Sequence, residues 1–128
     1  MIVGVGIDVC SIARMQISFD RWGDKLWCRI LSEAERRALR ERRDRGTALA
    51  GRFAAKEAAL KALGGGRGVT WHDLEVLAEP SRAPALRLHG AAARLAADLG
   101  VERTLMSISH YAGVAAAVVI LEARSSTS

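Results

Sequence analysis

Two carboxylates set the chemistry open to this chain. Asp8 closes the apolar run Met1-Ile2-Val3-Gly4-Val5-Gly6-Ile7. Glu57 lies inside Gly51-Arg52-Phe53-Ala54-Ala55-Lys56-Glu57-Ala58-Ala59-Leu60-Lys61-Ala62-Leu63, a run stopped by Gly64-Gly65-Gly66. Brought together, the two acids make a hard, oxygen-donor site for a divalent cation beside lysines, a combination suited to phosphate chemistry. At about 100° per residue, Glu57 falls roughly 40–60° from the helical line through Phe53 and Leu60. A carboxylate so near an apolar stripe is partly buried and must be paired or bound to a cation. The simplest partner is Lys61, in the favoured Glu-before-Lys order four residues apart. Asp8 also has a simple reading, as the cap of a turn into the next helix.

Two further segments carry polar groups. Gly64-Gly65-Gly66-Arg67-Gly68 gives a phosphate access to backbone. These glycines follow a helix, however, so they are not a P-loop or Rossmann cradle, and a flexible C-cap is the plainer reading. Ser107-Ile108-Ser109-His110 puts hydroxyls and an imidazole at a strand end, where amides and His110 can meet an anion. Ser109 and His110 are neighbours in sequence, so they do not by themselves form a nucleophilic triad.

The elements that must position these groups are legible. Residues 2–7 read as a buried strand ending at Asp8. Ser11 is a plausible N-cap for a helix that Gly23 interrupts. Ser32-Glu33-Ala34-Glu35 is a capping box opening a charged helix to about Arg43. Asp44-Arg45-Gly46 is a break. Thr47 to Leu63 is a long helix of Ala, Leu and Lys, closed by Gly64-Gly65-Gly66. Leu74–Leu77 and Ala85–His89 are strands around a turn bracketed by Pro80 and Pro84. Gly90 to Leu99 is a short helix. Thr104–His110 and Val114–Glu122 are strands about a tight turn at Gly113. The pattern is a single α+β domain, residues 1–124, with a mostly antiparallel sheet packed on the long helix. Residues 125–128 form a polar, unstructured tail. Trp22, Trp27 and Trp71 read as core or interface residues, and His72 and His89 as surface ones.

Composition narrows the classes. The chain has 128 residues, half of them apolar, and a net charge of +5. No run approaches the roughly 18 apolar residues of a membrane span. No signal peptide opens the sequence. Cys10 and Cys28 stand alone, which implies reduced thiols in an intracellular, cytoplasmic protein. From Arg14 to Arg45 there are ten basic and six acidic residues, a local excess of +4 that attracts polyanions. Arg14 and Arg21 lie at its start. The field alone admits a nucleic-acid-binding module without catalysis. No zinc-finger, helix-turn-helix or aromatic-stacking pattern accompanies it, so neither nucleic acid nor membrane is the expected partner.

Together the motifs resemble the holo-[acyl-carrier-protein] synthase family, the small trimeric phosphopantetheinyl transferases. The resemblance spans nearly the whole chain. It rests on Gly6-Ile7-Asp8 with Ile12 and Arg14, Arg52-Phe53-Ala54-Ala55-Lys56-Glu57-Ala58 with Lys61, Asp73-Leu74-Glu75-Val76, and Ser107-Ile108-Ser109-His110. It implies transfer of the phosphopantetheine arm of coenzyme A to a serine hydroxyl of an apo acyl carrier protein, with release of adenosine bisphosphate. It implies that Asp8 and Glu57 hold Mg²⁺ on the coenzyme A pyrophosphate and that Lys61 clamps phosphate beside it. For the base that takes the serine proton it leaves two candidates, Glu57 and a metal-bound hydroxide. Arg52, Gly64, Gly65, Gly66, Ser109 and His110 match positions lining the family's coenzyme A site. Arg14 and Arg21 match the surface that meets the acidic carrier protein, and the family's homotrimer puts each site at a subunit boundary. Two departures stand out. Ser81-Arg82-Ala83-Pro84 replaces a Gly-Lys-Pro type turn, with Arg82 as the substitute contact. Tyr111-Ala112-Gly113-Val114 replaces a short polar turn. A relative that binds coenzyme A or carrier without transferring is the remaining alternative, against which Asp8, Glu57 and Lys61 stand together.

Overall fold

The computed structural model describes residues 1–78 and 84–125. Arg82, and the tail beyond Ser125, lie outside the described residues.

Among the described residues, five strands form two antiparallel sheets. Strand β1, Ile2–Ser11, pairs with β5, Val114–Ala123, which pairs in turn with β4, Val101–Tyr111. Strands β2, Leu74–Leu77, and β3, Ala85–Leu88, form a separate ribbon. The Thr104 hydroxyl joins the ribbon to β4 by donating to the Leu86 carbonyl, 3.2 Å away. Tyr111 pairs with Val114, so the β4–β5 loop is only Ala112-Gly113. Both have positive φ, 52° and 80°, as a type I′ hairpin turn requires.

One sequence expectation changes here. Asp8 does not end β1 but lies within it, paired with Ala117, and the strand runs on to Ser11. Nor is β1 buried on both sides. Side chains alternate along a strand. Gly4, Gly6, Asp8 and Cys10 share one face, while Val5, Ile7 and Val9 are exposed on the other.

Helix α1, Ile12–Trp22, starts where the Ser11 hydroxyl accepts the Arg14 N–H at 3.2 Å. Gly23, at φ 55°, separates it from α2, Asp24–Ile30. Helix α3, Glu33–Ala38, has the expected capping box but stops short of Arg43. Leu39 turns into the core there. The following arginines would have to stack like charges one helical turn apart, which is unfavourable. Arg42 instead pairs with Asp44 at 2.6 and 2.7 Å.

Helix α4, Arg45–Ala62, is the central beam. Its alanines face inward, and Ala54, Ala55, Ala58 and Ala59 are fully buried against β1 and β5. It ends in a Schellman motif: the Gly64 N–H donates to Lys61 O and the Gly65 N–H to Leu60 O, with Gly64 at φ 83°. A 3-10 turn, Trp71–Asp73, leads to β2, and α5, Gly90–Asp98, links β3 to β4. One apolar cluster lies between α4, the sheets and α5. A second joins α1, α2 and the first half of α4 around Trp27, Leu31 and Leu49.

Candidate active site

The site begins with two glycines. A Cβ at Gly4 would strike the Ala62 carbonyl, and one at Gly6 the Ala58 carbonyl. Having none, β1 lies directly on the backbone of α4. Asp8 is the next residue on that face and therefore emerges beside the same helix. The Lys61 ammonium donates to the Asp8 carboxylate at 3.1 Å and to the Ile7 carbonyl at 3.0 Å. Lys61 thus serves Asp8, not Glu57 as the plain helix ion pair would have it. Glu57 is half-buried in the same corner. Burial, and then the Asp8 charge, raise its pKa, and Lys61 only partly offsets them. Two carboxylates and an ammonium converge where β1 crosses α4, with the exposed Gly64-Gly65-Gly66 loop one helical turn beyond Lys61.

The other expected residues lie elsewhere. His110 is paired with Ala115, as is Cys10, so it is on the helix side of the sheet, like Asp8. It is two strands across and two residues along, about 12 Å from Asp8 by strand spacing. Its charge contributes to lowering the pKa of Asp44 at the start of α4, where the Arg42 hydrogen bond is the main cause. Ser109 is paired with Ala116 and points to the opposite face. It lines a shallow hollow of about 160 Å³ with Ile7, Ser107 and Val118. Within one chain, therefore, Ser109 and Asp8 are on opposite sides of a sheet. Arg52 is buried on α4, and its Nε has no hydrogen-bond partner among the described residues. Desolvation lowers its pKa. Arg14 and Arg21 are exposed on α1, and Arg21 lies 5.0 Å over the Trp22 ring. Ile17, 66% exposed, is between them.

Sequence reasoning assigned no role to the strongest polar contact near the site. Lys56 and Glu35 form an ion pair at 2.6 Å, both side chains 0% exposed. The Lys56 ammonium also donates to Ile30 O at 2.7 Å and Trp71 O at 2.8 Å. Glu35 accepts from the Ser32 and Val76 amides at 2.9 and 3.0 Å. The capping box explained Glu35 locally, which hid its long-range partner. The available signal was Lys56 itself, a cation amid alanines on a helix that must be covered on several sides.

Among the described residues no three or more His, Cys, Asp or Glu side chains gather as a metal site. Asp8 and Glu57 offer two carboxylates. That donor set fits Mg²⁺ brought in with a substrate, because Mg²⁺ commonly takes one or two carboxylates and completes its shell with phosphate oxygens and water. Burial first, and then the Asp8 charge, raise the pKa of Glu57, and a cation between the two acids would offset the repulsion between them.

Comparison with known proteins identifies the family. The profile of the 4'-phosphopantetheinyl transferase superfamily matches residues 4–119. The holo-[acyl-carrier-protein] synthase of Koribacter versatilis is 46% identical over 124 residues, covering 95% of this chain and 99% of that protein. The crystal structure of the Neisseria meningitidis synthase superposes with a TM-score of 0.86 at 28% identity, covering 95% of this chain and 99% of that one. The Helicobacter pylori synthase, solved in complex with coenzyme A, gives 0.79 at 33% identity, covering 92% and 99%. The chain belongs to the holo-[acyl-carrier-protein] synthase family of phosphopantetheinyl transferases, enzymes that pass phosphopantetheine from coenzyme A to acyl carrier protein.

Proposed function

We propose that this chain transfers the phosphopantetheine arm of coenzyme A to a serine hydroxyl of an acidic apo acyl carrier protein, with Mg²⁺ held by Asp8 and Glu57 and adenosine bisphosphate released. The observation that carries this reading is the convergence of Asp8, Glu57 and Lys61 at one corner. Bound there, Mg²⁺ would supply charge neutralisation of the pyrophosphate during in-line displacement. Asp8 and Glu57 would hold that cation and orient the phosphates only through it. Lys61, more than half exposed, can turn from Asp8 to a phosphate oxygen. Glu57 is the chain's own candidate for taking the serine proton. The exposed Gly64-Gly65-Gly66 loop lets a ligand approach the backbone closely, and we assign it, with Arg52, to the rest of coenzyme A.

Ser109, on the opposite face, reaches that ligand only if a second copy contributes it, and we assign its neighbour His110 to the same second copy. The open sheet face supports this. Ile7 and Val9 are 64% and 63% exposed there, with Val5 alongside, and a contiguous apolar patch on a soluble protein marks an interface. We assign that face to contacts between copies in a homotrimer. Arg14, Ile17 and Arg21 on α1 offer an acidic carrier charge and an apolar anchor, and charge complementarity chiefly speeds encounter. Two free cysteines suit a reducing compartment, the cytoplasm. Incubation with coenzyme A, Mg²⁺ and a panel of apo carriers, followed by mass spectrometry of the carrier, tests the reading. A mass gain of one phosphopantetheine is expected. Unmodified carriers across the panel would refute it.

A further inference from the structure

The Lys56–Glu35 pair does more than fill a core. Lys56 and Glu57 are consecutive on α4, so their side chains diverge by about 100° around the helix axis. Lys56 is fixed from one side by Ile30 O at the end of α2, Glu35 on α3 and Trp71 O in the 3-10 turn, at 2.6–2.8 Å. Glu35 is itself held by the Ser32 and Val76 amides, which ties α3 and β2 to the same point. From the other side, the Gly6 backbone rests on the Ala58 carbonyl. The helix is thus gripped at residues 56 and 58, and Glu57 lies between the grips.

We propose that Lys56 and Glu35 are positioning residues that set the rotation of α4 and so aim the Glu57 carboxylate at Asp8. This deepens the reading of Asp8 and Glu57 as the cation site and rests on it. The pair contacts neither acid. It acts by fixing where the backbone of residue 57 can be. A buried lysine held by two carbonyls and a carboxylate tolerates little helix rotation, because each lost contact leaves a buried polar group unsatisfied.

Lys56→Met alone would strand a buried Glu35 charge and threaten folding. The informative protein is therefore Lys56→Met with Glu35→Gln, which removes both charges at nearly constant volume. Leu86→Ala, a core truncation on β3, serves as a comparably destabilised control. All are assayed where circular dichroism shows them folded. The double variant is expected to raise the Mg²⁺ concentration for half-maximal transfer and lower kcat, each by about 10-fold or more, as for other groups that orient metal ligands. Leu86→Ala should change neither. A crystal structure of the double variant should show the Glu57 carboxylate turned away from Asp8. Unaltered Mg²⁺ dependence with Glu57 in its original orientation would overturn the proposal. Failure of the unmodified chain to transfer would count against the proposed function instead, and the orientation of Glu57 in the variant would still decide the positioning role.

Discussion

The Lys61 ammonium rests 3.1 Å from the Asp8 carboxylate, although Glu57 sits four residues before it on the same helix. A cation that bridges from helix to strand ties α4 to β1 at the point where both acids emerge. Glu57 is left half-buried beside a second carboxylate, with burial and then the Asp8 charge raising its pKa and Lys61 only partly offsetting them. That setting distinguishes this corner from an ordinary surface ion pair.

Lys61→Ala separates stability from function. The Lys61–Asp8 pair is solvent-accessible, and exposed pairs are worth about 0.2–1 kcal/mol. Chemical denaturation should therefore change by less than about 1 kcal/mol. If Lys61 serves the phosphate as proposed, its loss should lower kcat on the order of 100-fold in the carrier-modification assay. Comparable losses of stability and rate would mean that Lys61 only supports the fold.

Gly6→Ala attacks the site through the backbone. The added methyl meets the Ala58 carbonyl and approaches the Ala62 amide nitrogen at 2.9 Å. Strand and helix must separate, with an overpacking cost of about 1–3 kcal/mol. Separation also moves Asp8 from Glu57, so the Mg²⁺ requirement should rise along with the loss in Tm. A Gly6→Ala protein with unchanged Tm would show that β1 does not need this close approach.

Much of this was readable from residues whose effects are local. The Ser11 cap, the Ser32-to-Glu35 box, the interruption at Gly23 and the glycine stop after Leu63 all act within a few positions, and all occur. Asp8 and Glu57 were recognisable as a pair through their motifs. The end of β1 was not, because pairing with β5 carries the strand through Asp8 to Ser11, and pairing is a long-range property. The Lys56–Glu35 contact spans 21 residues and joins separate elements, so no periodicity announces it. Placing Ser109 opposite Asp8 required the register of three strands.

Glu75 ties stability to pH. Its carboxylate accepts from the Ser32 hydroxyl at 2.6 Å and contacts His89 Nε2 at 3.3 Å, and the Ser32 bond is the main cause of its lowered pKa. A depressed folded-state pKa stabilises the protein fully above the unfolded value, ordinarily 4.5, and the gain fades as pH falls through the folded value. Glu75→Gln should cost up to about 1.5–3 kcal/mol at pH 7, the worth of a hydrogen bond to a charged group. The gap from the unsubstituted chain should shrink as pH falls below the unfolded value and close only in more acid solution, below the folded-state value, where both states are protonated. Denaturant melts at pH 7 and in acid solution check this, and a pH-independent gap would contradict it.

Mixing two inactive variants tests whether each site is shared between copies. Asp8 and the Ser109 side chain leave opposite faces of one sheet, and His110 is about 12 Å from Asp8 along it. If coenzyme A spans two copies, one supplies Asp8 and Glu57 while its neighbour supplies His110 and Ser109. Asp8→Ala and His110→Ala should each abolish or strongly reduce transfer. Co-refolding them in equal amounts permits sites built from the intact half of each. Random assembly of a closed ring then gives about a quarter of sites with both halves intact, and activity should recover toward that fraction. A site contained in one chain could never be rebuilt in this way. Mixtures no more active than the better parent would therefore place every coenzyme A contact within a single copy, and the apolar face of β1 would need another occupant.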